Sequence, residues 1–234
     1  MPVQPTPRLV LWDIDKTLVD IGGISREIYA AAFRAVTGLV LERMPDMAGK
    51  TDRDLILASL RLHSVPEPEK QLADFYSALA EATEAHKAEI KEHGHCLPGA
   101  REAVKQVAAV LSLTQSVVTG NIRPIAHIKL AAFGLADPID FDIGGYGSDD
   151  GERATLVRLA LQRAEQKHGV AYPPEQVFVI GDTPYDIAGA KTNGVRAIGV
   201  ASGSSTASEL RTAGADAVLP SLEDTNALVR LVLA

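Results

Sequence analysis

Four aspartates stand at the ends of two apolar runs in the sequence. Asp13 and Asp15 close the run RLVLWDID, while Asp182 ends the run QVFVIGD and Asp186 follows four residues later. In an extended strand, residues i and i+2 point to the same side, so Asp13 and Asp15 can face one site. Two ionised carboxylates about 4 Å apart repel by roughly 4 kcal/mol at an effective dielectric constant of 20. Carboxylates that converge in this way need a cation.

The donor set predicts which cation this is. It contains only oxygen ligands, with neither histidine nor thiolate, and this chemistry suits a hard divalent ion such as Mg²⁺. Protein-bound Mg²⁺ usually also takes water and a substrate phosphate oxygen, so the pattern predicts an anionic substrate. One carboxylate can then attack phosphorus to form an aspartyl-phosphate, while a second carboxyl group handles the proton of the leaving group.

The elements that must position these residues follow from the apolar periodicity. Strands are predicted at 8–14, 113–119, 176–182 and 195–202, with shorter ones at 140–144 and 217–219. Helices are predicted at 100–111, 123–133, 152–168, 184–193, 206–213 and 222–233. Thr206 and Glu209 have the spacing of a capping box, and glycines 134, 169, 194 and 214 stand where left-handed helix caps belong. The alternation predicts an α/β fold, a Rossmann-like parallel sheet with helices on both faces.

Residues 20–95 interrupt this alternation with helical patterns and no convincing strand. A single last helix is predicted after the PEPE sequence, with an apolar face that runs from Leu72 to Ile90. A helical insertion after the first strand lies over the carboxyl ends of the strands, where such folds bind ligands. We therefore expect a core domain of residues 1–19 and 96–234 and a small helical cap domain of residues 20–95.

The amino-acid composition limits which binding partners and which cellular location are expected. The 234 residues include 23 Lys and Arg against 30 Asp and Glu, and the net charge of −7 disfavours a nucleic-acid partner. Cys96 is the only cysteine, so an intrachain disulfide is excluded. The first apolar run is too short for a signal segment or a membrane span. We expect a cytoplasmic protein without a membrane partner, either a monomer or a homodimer.

Three motifs resemble those of one known family. The string DIDKTL, beginning at Asp13, resembles the DxDxT motif of the haloacid dehalogenase-like hydrolase superfamily. Thr119-Gly120-Asn121 after an apolar strand is similar to its second motif, and GDTPYD, ending at Asp186, resembles its fourth. The resemblance extends from about Arg8 to the C-terminus. The C-terminal continuation and the helical insertion resemble the phosphoglycolate phosphatase branch, which carries a small C1 cap.

The resemblance assigns roles to individual residues. It implies that Asp13 is the nucleophile and a metal ligand, and that Asp15 is the general acid and base and offers its backbone carbonyl to Mg²⁺. The other metal residues would be Asp182, which completes the site, and Asp186, which ligates the metal or orients its ligands. The phosphoryl group would be bound by Thr119, Gly120 and Asn121.

The third motif requires a cation that neutralises phosphate charge, usually a lysine. Arg153 occupies the aligned position, and its guanidinium can bind phosphate through two parallel hydrogen bonds. Lys129, in an earlier helical pattern, is the alternative. In the insertion, Lys50 and Arg53 lie in a segment that resembles the loop facing the active site of capped phosphatases. They are candidates for reading the leaving group, and solvent-exposed charges at a helix start are the alternative.

These residues predict a Mg²⁺-dependent phosphatase that acts on a small phosphorylated metabolite. Asp15 favours phosphoryl transfer over dehalogenation, because an ester leaving group needs a proton and a halide does not. Phosphoglycolate is suggested by the branch resemblance alone. Two alternatives stay open: a phosphomutase of the β-phosphoglucomutase type, which Thr17 mildly disfavours, and a non-catalytic binding protein. Lys16 is a departure, since many similar sequences have glycine there.

Overall fold

A computed structural model describes residues 6–234. Its eight strands are β1 (Arg8–Trp12), β2 (Val19–Asp20), β3 (His95–Cys96), β4 (Leu113–Thr119), β5 (Gly145–Tyr146), β6 (Val177–Gly181), β7 (Arg196–Val200) and β8 (Ala217–Leu219). Six of them form one sheet in the order β5-β4-β1-β6-β7-β8, and every neighbouring pair is parallel. The carboxyl ends of these strands therefore meet at one edge, which is the edge that carries the predicted site.

The sheet is buried on both faces. Its covering helices are α5 (Ala100–Ala108), α6 (Arg123–Ala132), α7 (Arg153–His168), α8 (Pro184–Thr192), α9 (Ala207–Thr212) and α10 (Thr225–Leu233). The central strand β1 shows the arrangement, because Val10 and Trp12 belong to one apolar cluster and Leu9 and Leu11 to the other. This alternation across a strand buried on both sides confirms the predicted parallel sheet with helices on both faces.

Four helices lie between β2 and β3, and we call residues 21–94 the insertion. They are α1 (Ile24–Thr37), α2 (Asp52–Leu62), α3 (Leu72–Ala85) and α4 (Lys87–His93). Strands β2 and β3 pair antiparallel, Val19 with Cys96 and Asp20 with His95. The chain therefore enters and leaves the insertion through one short two-stranded ribbon. This ribbon was not predicted, because two-residue strands leave no periodic signal in the sequence. The division into core and cap domains stays a prediction.

Two predicted elements differ in form from the structure, whereas others, such as the helices predicted at 100–111 and 222–233, differ by about three residues at one end. The long helix after residue 71 breaks at His86, whose ring nitrogen Nδ1 lies 2.8 Å from the Ala82 carbonyl oxygen, although Phe75, Leu79 and Ile90 are all buried as the apolar face requires. The strand predicted at 140–144 is instead a 3₁₀ turn, Phe141–Ile143, and β5 begins one residue later than the predicted segment ends.

The helix-end predictions are confirmed. Thr206 and Glu209 form a reciprocal capping box at the start of α9. Glycines 134, 169, 194 and 214 all have positive φ, between 67° and 97°. Among the described residues, no helix combines the length and the apolar character needed to cross a bilayer.

Candidate active site

A tight loop after β1 brings its polar side chains back over the sheet edge. The Asp13 N–H donates to the Ile180 carbonyl at 2.8 Å, which fixes Asp13 between β1 and β6. Lys16 adopts a left-handed conformation with φ of 64°, and this reverses the chain so that the buried Thr17 points to the site. The Thr17 hydroxyl lies 3.1 Å from Asp13 Oδ2 and 3.3 Å from Asp182 Oδ1. Sequence reasoning did not foresee that Thr17 links these two carboxylates.

Asp13, Asp182 and Asp186 form a buried acidic cluster. Each offers a carboxylate oxygen, and these oxygens lie within 4.8 Å of one another. Burial, followed by the charge of Asp186, raises the pKa of Asp13 well above its usual value. Burial and the same neighbour raise the pKa of Asp182 to about 7. Repulsion and burial thus disfavour three ionised carboxylates in the metal-free protein.

This cluster fits a hard divalent cation. Its donors are all carboxylate oxygens, and within the described part of the chain Asp186 Oδ1 has no hydrogen-bond partner although it is buried. The other oxygen of Asp186 accepts from the Thr183 N–H at 3.1 Å and from the Thr183 hydroxyl at 2.7 Å, in a capping box that begins α8. Asp186 therefore anchors a helix with one oxygen and presents the other to the cluster.

Arg153, the first residue of α7, lies against the cluster. Its Nη1 is 3.5 Å from Asp13 Oδ1 and its Nε is 3.3 Å from Asp186 Oδ1. Nη1 also donates to the Val118 carbonyl at 3.3 Å, which ties the side chain to β4. The guanidinium is nearly buried, so its charge acts on the carboxylates through protein rather than through water.

Asp15 is held outside the acidic cluster by a second cation. Lys129 Nζ, on α6, is 2.7 Å from both carboxylate oxygens of Asp15 and 2.8 Å from Asn121 Oδ1. Asn121 Nδ2 donates to Asp15 Oδ2 and to Thr119 Oγ1, each at 2.7 Å. Both candidate cations of the sequence analysis are thus present at the site, Arg153 beside Asp13 and Lys129 beside Asp15.

A cavity of about 730 Å³ opens over these groups, between the sheet edge and the insertion. It is lined by the site residues Asp13, Asp15, Thr119, Gly120, Asn121, Lys129, Arg153 and Asp182, and by apolar side chains that include Ile21, Ile28, Met47, Leu55 and Ile125. Lys50 lines it as well, whereas Arg53 is not among the described residues that do so. The cavity therefore joins a charged floor to a largely apolar upper wall.

Two lining residues of the insertion, Asp52 and Tyr29, form a buried contact that the sequence did not indicate. Asp52, the first residue of α2, is buried, and its carboxylate accepts hydrogen bonds from the Tyr29 hydroxyl of α1 and from the Ile122 N–H of the core at 2.7 Å. Burial raises the pKa of both groups, Asp52 and Tyr29. The one available signal was the position of Asp52 directly after Thr51, which caps α2 through its hydroxyl.

Solved structures share this fold over almost the whole chain. The protein CbbY from Rhodobacter sphaeroides, solved in complex with phosphate, has a TM-score of 0.69 and 21% identity and covers 94% of this chain and 96% of its own. A predicted phosphatase from Clostridium acetobutylicum has a TM-score of 0.65 and 18% identity, with 97% and 100% covered. A provisionally named β-phosphoglucomutase from Thermotoga maritima has a TM-score of 0.60 and 20% identity, with 96% and 99% covered. No curated protein gives a significant match.

The six-stranded parallel sheet with helices on both faces is that of a class of hydrolases built on a Rossmann-like core. A family model described as haloacid dehalogenase-like hydrolase matches residues 10–191, which is more than half of the chain. The chain therefore belongs to the haloacid dehalogenase-like hydrolase family. The phosphoglycolate phosphatase-like branch with its C1 cap is a finer assignment and stays a prediction.

Proposed function

We propose that the protein is a Mg²⁺-dependent phosphatase that hydrolyses a small phosphate monoester through an aspartyl-phosphate on Asp13. The observation that carries this proposal is the contrast between two nearby aspartates. Asp13 is buried in an acidic cluster beside Arg153, whereas Asp15 is outside that cluster, hydrogen-bonded and facing the cavity. This contrast supports Asp13 as the nucleophile and Asp15 as the proton carrier.

The reaction takes two steps. A carboxylate oxygen of Asp13 forms a bond to phosphorus while the ester P–O bond breaks, and Asp15 gives its proton to the leaving oxygen. Asp15 then accepts a proton from water, whose oxygen attacks phosphorus, and this releases inorganic phosphate and restores the Asp13 carboxylate. Mg²⁺, held by Asp13, Asp182, Asp186 and the Asp15 backbone carbonyl, would neutralise charge on the carboxylates and on the phosphoryl group.

The remaining polar groups of the site would contact different parts of the substrate. Thr119, with the backbone of Gly120 and Asn121, would hold the phosphoryl oxygens. Arg153 stays the first candidate for neutralising that group, because its Nη1 lies beside the attacking carboxylate of Asp13. Lys129 has a different neighbour, and we assign it to Asp15 and the leaving-group side.

The cavity supports a small phosphorylated metabolite as the substrate class. A small phosphorylated metabolite fits its charged floor, and phosphoglycolate, whose carboxylate could pair with Lys50, is one candidate. Arg53 is a weaker candidate for reading the leaving group, since it is not among the described residues that line the cavity. We further propose a cytoplasmic location and a monomer or homodimer, with the insertion acting as the cap.

The test combines a substrate panel with one substitution. Wild-type protein is assayed on phosphate monoesters with Mg²⁺ and with EDTA, and turnover is expected only with the metal. Asp13→Asn should lower kcat by at least about a thousandfold with little loss of fold, because it removes the nucleophile and keeps its shape. Retained turnover in the folded variant would contradict the proposal.

A phosphomutase is the second candidate. The same carboxylates would serve it, and the cavity volume leaves room for a bound sugar phosphate to turn over before the phosphoryl group returns. Hexose 1-phosphate as substrate separates the two activities, because a phosphatase releases inorganic phosphate and a mutase yields hexose 6-phosphate.

A further inference from the structure

The loop that follows β4 is held at both ends by one residue of the insertion. Residues 120–122 form this loop, which we call the phosphate loop. The Asp52 N–H donates to the Gly120 carbonyl at 2.7 Å, and Asp52 Oδ2 accepts from the Ile122 N–H at 2.7 Å. A single residue thus pairs with a backbone acceptor at one end of the loop and a backbone donor at the other.

The insertion is packed onto this loop without intervening side chains. A Cβ atom on Gly120 would lie 2.3 Å from the Lys50 carbonyl oxygen, so the backbone before α2 touches the backbone of the loop. From the other side, a Cβ on Gly147 would lie 1.8 Å from the Gly120 carbonyl oxygen and 3.0 Å from the Asp52 nitrogen. The Gly147 N–H in turn donates to the Asn121 carbonyl at 2.9 Å. The position of the loop therefore depends on the docked insertion as well as on the core.

A displacement of this loop would reach the reacting groups. Asn121 lies at its centre and holds Asp15 through Nδ2 and Lys129 through Oδ1. The Asn121 N–H also donates to the Thr119 hydroxyl at 3.2 Å. In the proposed function, these partners of Asn121 either bind the phosphoryl group or hold and act as the proton carrier. None of them lies on the apolar wall that would face a leaving group.

We propose that Asp52 is a positioning residue that shapes the phosphate loop from the insertion. The inference rests on the proposed phosphatase function. Because Asp52 acts through the loop, its loss weakens the binding of the phosphoryl group that all substrates share. It does not select among leaving groups.

The experiment measures phosphate binding separately from turnover. The inhibition constant of inorganic phosphate and the KM of the two best esters of the panel are determined for wild type and Asp52→Ala. We expect all three constants to rise by the same factor, about tenfold, as for a lost hydrogen bond to a charged group. Asp52→Asn, which keeps an acceptor for the Ile122 N–H, should recover most of the loss. Asp54→Ala removes a carboxylate from the same helical turn that does not bond to the loop, and should leave the constants unchanged.

A second pair of variants tests the same contact from the core. Ile122 has φ of −67°, a value that proline adopts, so Ile122→Pro suits the local φ. It removes the donated N–H and sets a ring carbon against Asp52 Oδ2 in its place, which breaks the contact from the core side. Ile122→Ala removes the side chain and keeps the N–H, and is the matched control. The three constants should rise about tenfold in the proline variant relative to the alanine variant.

Three outcomes would overturn the inference. One is a lower active fraction with unchanged constants, which indicates a purely structural residue. Another is a change in the KM ratio of the two esters, which indicates contact with the leaving group. The third is that both variant pairs match their controls. Each of these requires an active wild type, whereas a wild type that neither hydrolyses esters nor binds phosphate overturns the proposed function itself, and the inference with it.

Discussion

Removing the metal should make the stability of the protein fall as the pH rises through neutrality. The pKa of Asp182 is about 7 in the folded protein against 3.8 for the ordinary side chain, and the pKa values of Asp13 and Asp52 are shifted in the same direction. Between these two values the folded state binds a proton that the unfolded chain has released. The free energy of unfolding therefore decreases with pH, by about 1.4 kcal/mol per pH unit for each such proton.

The size of the effect follows from that slope. From pH 5 to pH 7, one proton corresponds to a loss of about 2–3 kcal/mol, or roughly 5–10 °C in Tm for a chain of this length. The pKa is lowered at five carboxylates, which titrate below this window and do not mask the slope: Asp20, Glu69, Asp142, Glu209 and Asp216. Saturating Mg²⁺ should abolish the decrease, because the cation stabilises the ionised cluster.

Urea unfolding in EDTA at pH 5, 6, 7 and 8 measures this dependence directly. Asp182→Asn is expected to make the profile shallower, since it removes one titrating group and a smaller part of the repulsion on Asp13, whose pKa is raised mainly by burial and by Asp186. Asp142→Asn, which alters a surface carboxylate paired with Lys167 and Arg123, is the control and should keep the wild-type slope. A metal-free wild type whose stability is constant or rises from pH 5 to 7 would refute the reasoning.

Two further predictions concern cations near the site. Arg153→Met should raise the inhibition constant of inorganic phosphate by about tenfold or more. Lys129→Met should mainly lower kcat, because Asp15 loses the ion pair that holds its carboxylate. Steady-state kinetics distinguishes the two effects, and the reverse pattern would exchange the two roles. Lys16 has φ of 64°, a conformation that β-branched residues adopt only at a cost. In urea unfolding, the free energy of unfolding of Lys16→Gly should be within about 1 kcal/mol of wild type, and that of Lys16→Val should be lower by about 1–2 kcal/mol. Equal stabilities of the two variants would contradict this prediction.

The sheet could be predicted from the sequence because each central strand is a short apolar run that ends in polar residues. The same runs locate Asp13, Thr119 and Asp182 at strand ends, and parallel strands bring those ends together. The sequence showed that Lys16 departs from the motif that it resembles, but it did not show which backbone conformation this position has. The left-handed conformation is known only from the folded loop. Glycine adopts this conformation at lower cost than lysine does.

Contacts between the insertion and the core were beyond sequence reasoning. Asp52 and Ile122 are 70 positions apart, and the bond joins a side chain to a backbone N–H, for which any residue but proline suffices. Lys129 illustrates the same limit, because its place in a helical pattern gives no sign that its side chain turns toward Asp15. Long-range polar pairs of this kind depend on how elements pack, and periodicity does not report packing.

The short ribbon of β2 and β3 gives the chain a modular topology. Because Val19 pairs with Cys96, the two ends of the insertion are neighbours, and the insertion is attached to the core as one closed loop. The entropy of closing a loop grows only slowly with length, by about 0.6 kcal/mol per doubling, so this point tolerates insertions of very different size. Evolution or design can therefore exchange the segment that covers the strand ends without rebuilding the sheet. A replacement must still provide one backbone donor and one acceptor for the loop beneath it.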